Sequence, residues 1–232
     1  MRRALSRTWA VTVASAALAV GALGFAHTET GAAVVRGLAR MAHGGCPFGY
    51  DQAMSPVERE RARENFARQH RGERRAEVRP ALGFELDRTT RQQVIASLSA
   101  RGVPCAAGRG MSDLTCQHVP STALPGAEIS APERTLWFTF GTKDQLLSVV
   151  AVSRAADPRA ISSAFVDTQG ELSRRAGLAT VSSGDADSAA LARGLLRQAS
   201  AEFRFSNYYA VERAANMGNA FVFTEEYRSL PD

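Results

Sequence analysis

The sequence predicts an α+β fold: one antiparallel sheet with helices packed on one face, a degenerate two-fold helix-plus-hairpin repeat, preceded by an N-terminal hydrophobic helix. Three observations carry that expectation. Helix starts with capping chemistry stand at Ser55, at Thr89 or Thr90, and at Asp157. Two pairs of β-prone runs are joined by turn tetrapeptides, Gly141-Thr142-Lys143-Asp144 and Asn216-Met217-Gly218-Asn219. Each pair follows a helix and a short weak strand, so the order helix, strand, hairpin occurs twice.

From the N-terminus, Arg2, Arg3 and Arg7 precede an uncharged apolar run from Trp9 to Ala26. A basic flank followed by such a run is an export address, so residues 1–26 are expected to be a signal peptide or a membrane anchor. Both outcomes stay open. Eighteen residues exceed an ordinary signal core and fall just short of a comfortable span of about 20, and Gly24-Phe25-Ala26 offers small residues for cleavage near Ala26. The expected location is the cell envelope, with the C-terminal domain outside the cytoplasm or exported after cleavage. Residues 27–54 are glycine-rich and weakly patterned, a flexible arm.

Residues 55–79 form a charged segment. Ser55-Pro56-Val57-Glu58 is a capping box with proline at the first helical position, and the helix runs to about His70. Its narrow apolar stripe is Val57, Ala62 and Phe66, among eight arginines and five glutamates between Glu58 and Arg79. The α+β domain spans 80–232. A second helix presents Val94, Ile95 and Leu98 to the core and stops at Gly102 and Pro104. Strands follow at Leu114–Val119, Leu136–Phe140 and Leu146–Val152. Asp157-Pro158 starts a third helix, with Ile161, Ala164, Phe165, Leu172 and Ala176 at helical spacing and Gly177 as its stop. Leu178–Ser182 reads as a strand, Ser188–Leu196 as a short helix, and Phe203–Val211 pairs with Ala220–Tyr227. Phe203, Phe205, Phe221 and Phe223 supply the core side of that last pair.

Gly83-Phe84-Glu85-Leu86 through Thr90, Gln93-Val94, Leu98, Gly102 and Cys105 resembles the helix entry of small bacterial envelope domains of the BamE and β-lactamase-inhibitor-protein type. The resemblance covers only residues 83–105. It implies helices placed before an antiparallel meander, and protein binding rather than catalysis.

Composition narrows the chemistry. The formal charge is +5, but without Arg2, Arg3 and Arg7 the chain holds 25 basic against 23 acidic side chains, too balanced for a phosphate-backbone binder. No nucleic-acid partner and no cofactor are expected. Three cysteines in an oxidising compartment predict a disulfide, and Cys105 with Cys116 is the preferred pair because it closes the short loop holding Gly108, Arg109 and Gly110. A Cys/His site for a metal or a small exported enzyme would draw on Cys46, Cys116, His118 and His43. The spacing matches no zinc finger, and no nucleophile elbow, haem or thiol-exchange motif is present. Glu212, Glu225 and Glu226 read as solvent-side residues of the last hairpin. The expected function is therefore a noncatalytic envelope protein, tethered or exported, that binds another envelope protein; the alternative is the small exported enzyme.

Overall fold

The computed structural model describes residues 55–108, 113–124 and 132–231. The hydrophobic segment 9–26 and the arm 27–54, which holds His43 and Cys46, lie outside the described residues.

Helix α1 (Pro56–His70) begins as its cap dictates: the Ser55 hydroxyl accepts from the Glu58 amide at 3.3 Å and the Glu58 carboxylate accepts from the Ser55 amide at 2.8 Å. A two-stranded ribbon, β1 (Pro80–Ala81) with β2 (Phe84–Glu85), leads into α2 (Arg91–Ser99), whose cap is the equivalent box of Thr90 and Gln93. The remaining strands are β3 (Cys105–Ala107), β4 (Leu114–Val119), β5 (Arg134–Phe140) and β6 (Leu146–Ala155), then β7 (Val181–Ser183), β8 (Gln198–Arg204), β9 (Tyr208–Asn216) and β10 (Phe221–Ser229). Helices α3 (Pro158–Arg175) and α4 (Ser188–Ala192) lie between β6 and β8 in the chain.

All eight strands from β3 onward form one antiparallel sheet in the order β3-β4-β5-β6-β10-β9-β8-β7. The two meanders β3–β6 and β7–β10 meet at their last strands, so β6 and β10 form the central seam. Alternation along the strands sends Leu136, Phe138, Val149, Ala151, Phe203, Ala210 and Phe223 to one face, where α2, α3 and α4 cover them with Val94, Leu98, Ile161, Phe165, Leu172 and Leu191.

Helix α1 departs from the expectation that helices occupy one face. Its Phe66 and Ala67 pack with Tyr209, Val211 and Leu230. Tyr209 and Val211 point opposite to Tyr208 and Ala210, so α1 lies on the reverse side of the sheet. Phe66 meets the Tyr209 ring edge-on at 5.0 Å, and the Arg228 guanidinium sits 4.3 Å from the Phe66 centroid. Val57, expected in the contact stripe, is exposed instead.

Three further differences have local causes. The expected strand Phe203–Val211 is two strands, because Ser206-Asn207 makes a tight turn: the Phe205 amide donates to the Tyr208 carbonyl at 2.9 Å, and the Asn207 side chain holds both the amide and the carbonyl of Ala76. The expected helix Ser188–Leu196 stops at Ala192, where Gly194 and a left-handed Leu196 (φ 58°) turn the chain into β8. Ile95 is turned outward, while Val94 and Leu98 are fully buried.

Candidate functional site

The residues on β9 and β10 that the alternation sends inward include two carboxylates. Glu212 and Glu225 are directly opposite in the register, on the same face as Ala210, Phe223 and Tyr227 and beneath α3. Their exposures are 0% and 1%. The expectation that both face solvent is therefore corrected. Parity along β10 was the available signal, since Phe221, Phe223, Glu225 and Tyr227 share one side of the strand.

Two neighbours meet Glu225. The guanidinium of Arg134, itself 2% exposed at the start of β5, donates to its Oε1 at 3.4 Å, and the Thr168 hydroxyl on α3 donates to the same oxygen at 3.2 Å. Among the described residues, Glu225 Oε2, both oxygens of Glu212 and Arg134 Nε find no hydrogen-bond partner. Burial pushes the Glu212 carboxyl up to about 9, with the Glu225 charge acting in the same direction. Burial also raises Glu225, opposed by the Arg134 charge and by hydrogen bonds from Thr168 and Arg134. At neutral pH Glu212 thus keeps its proton, while Glu225 lies against the Arg134 guanidinium. Ser153, opposite Arg134 in the register, donates to the Pro132 carbonyl at 3.4 Å, and the Tyr227 phenol is held far above its ordinary range by burial.

Chemically this is a protonated carboxyl beside a buried ion pair. Such a pair of carboxylates suits acid-base work only where a substrate reaches it. Here the two carboxylates and the guanidinium are buried in the core, with Thr168 of α3 against Glu225.

The cysteines and histidine of the expected Cys/His site do not converge. Cys105 and Cys116 are register partners across β3 and β4, with sulfurs 2.00 Å apart, and Cys116 is buried. Strict alternation would put His118 on the same strand face as Cys116. A bulge between Cys116 and Val119 instead places it in a left-handed conformation (φ 54°) with its ring exposed, 3.2 Å from the Glu133 carboxylate. Cys46 and His43 belong to the segment outside the described residues. Among the described residues, no three His, Cys, Asp or Glu side chains gather as a metal ion would need, and no helix is long and apolar enough to cross a membrane. Glu226, on the reverse face of β10, pairs with Arg228.

No protein-family model, curated protein or solved structure matches the chain.

Proposed function

We propose that the protein is a noncatalytic component of the bacterial cell envelope, tethered or exported through residues 9–26, that binds another envelope protein with the reverse face of its sheet. The observation that carries the reading is the surface on that face. Trp137 and Val150 are register partners, Thr135, Val152 and Thr224 form the next row, and Val222 follows on β10. All six are half-buried, an apolar and threonine-rich surface of the kind protein partners cover. The two meanders, α2 with β3–β6 and α3 with β7–β10, read as the degenerate repeat, and the resemblance to BamE and β-lactamase-inhibitor-protein type domains points the same way. The buried Cys116 sulfur, at disulfide distance from Cys105, and the outward His118 count against an exported enzyme built on those residues.

A photoreactive residue replacing Trp137 in living cells tests this. The expected result is a crosslink to one envelope protein, lost in Val150→Arg/Val152→Arg and absent when the probe replaces Arg174 on exposed α3. A chain recovered from the cytosol with no crosslink removes the proposal.

A further inference from the structure

At the end of the sheet where β9 turns into β10, three large apolar side chains stand in water together: Leu195 (73% exposed), Leu196 (68%) and Met217 (51%). They belong to different segments that the fold ties into one knob. The Leu196 amide donates to the Asn216 carbonyl at 2.9 Å, and the Asn216 amide donates to the Arg197 carbonyl at 2.8 Å. The Asn216 side chain, nearly buried, donates to the Leu191 carbonyl at 3.0 Å and accepts from the Gly218 amide at 2.8 Å. Leu195 lies over the hairpin turn, so that a β-carbon on Gly218 would meet its side chain at 3.5 Å. The apolar tips are therefore held outward by a built scaffold rather than by a loose loop.

Two features say the exposure is used. Leu196 has a φ of 58°, a backbone conformation that favours glycine or asparagine, yet carries a large apolar side chain there. The leucines are also flanked by exposed arginines, in the order Arg193-Gly194-Leu195-Leu196-Arg197. The nearby carboxylates are turned elsewhere: Asp187 accepts from the amides of Ala189 and Ala190, and Asp185 accepts from the Asp187 amide. Two exposed arginines flank the apolar tip in the chain.

We infer that Leu195, Leu196 and Met217 form an insertion tip for an anionic lipid bilayer, with Arg193 and Arg197 meeting the headgroups. Apolar side chains that enter the acyl boundary and basic side chains at headgroup depth are the two signals by which a folded domain holds a membrane surface. A second copy of the chain would bring the same arginines against each other, so the charge favours lipid over self-association.

The test uses the full chain with Cys46→Ser and Met217→Cys, labelled at position 217 with an environment-sensitive fluorophore. The probe reports the tip alone, even where residues 9–26 hold the chain on vesicles. With phosphatidylcholine vesicles containing phosphatidylglycerol, the emission shifts to the blue and is quenched by brominated acyl chains. Leu195→Ser/Leu196→Asn abolishes the shift while leaving the unfolding transition in place, because both positions are exposed and asparagine suits the left-handed backbone. Arg193→Gln/Arg197→Gln also abolishes it. A probe that stays in water on anionic vesicles overturns the inference. So does an equal shift on phosphatidylcholine alone, or one that grows with protein concentration in the absence of vesicles.

Discussion

Glu225 and Arg134 are buried together, so neither can lose the other without penalty. Glu225→Ala strands the Arg134 guanidinium in the core, and an uncompensated buried charge costs about 3–5 kcal/mol, read as a lowered denaturant midpoint at constant slope. Replacing both partners, Arg134→Met with Glu225→Leu, should recover most of that loss, since an ion pair of this kind is worth little more than well-packed apolar volume. Glu212 gives the fold a pH dependence of definite sign. Its folded pKa is raised to about 9, so between the ordinary carboxylate range and that value the folded chain keeps a proton that the unfolded chain gives up. Its stabilising contribution is fully present below the unfolded pKa and is lost as pH rises through about 9. Unfolding curves from pH 5 to 10 should show that decline, and Glu212→Gln should flatten it. A decline of equal slope in the variant would assign the dependence to other groups.

At the level of elements, capping chemistry was the part of the sequence most directly readable. Ser55, Thr90 and Asp157 each start a helix where the side chain and the amides ahead of it require, because the interaction is local and needs no tertiary partner. The Gly141–Asp144 hairpin was equally legible for the same reason. What the sequence obscured depended on distant contacts. Phe203 to Val211 is rich in β-formers throughout, and the Ser206-Asn207 break is fixed by Ala76, 131 residues away. The outward turn of His118 depends on a bulge against β5, and the burial of Glu212 on which side of β9 receives α3. The reverse-face seat of α1 was likewise hard to read, since the apolar part of its contact is only Phe66 and Ala67. Near that seat the chain passes close to the β8–β9 turn: a β-carbon on Gly72 would lie 2.1 Å from the Arg204 carbonyl oxygen, and the Gly72 amide donates to the Phe205 carbonyl. Gly72→Ala should therefore destabilise by about 1–3 kcal/mol, the usual cost of overpacking, and loosen α1 enough to speed proteolysis after Arg68 or Arg71.

For the molecule as a whole, Cys105 and Cys116 fasten the edge strand β3, three residues long, to β4. A bond there closes a short loop, and by the chain-entropy account its loss costs about 3 kcal/mol. Reductant should lower the thermal midpoint of the wild type and leave Cys105→Ser/Cys116→Ser unchanged; equal midpoints with and without reductant would show that the pair adds nothing to stability. The order of the strands has another consequence. Because β10 occupies the middle of the sheet, a strand that follows the other seven in the chain is the keystone that the two meanders share. Until it emerges, β6 and β9 each present an open border ready to zip onto a neighbouring nascent chain. A stop codon ahead of Phe221 would therefore leave two unfinished half-sheets prone to clumping, rather than one slightly shortened protein.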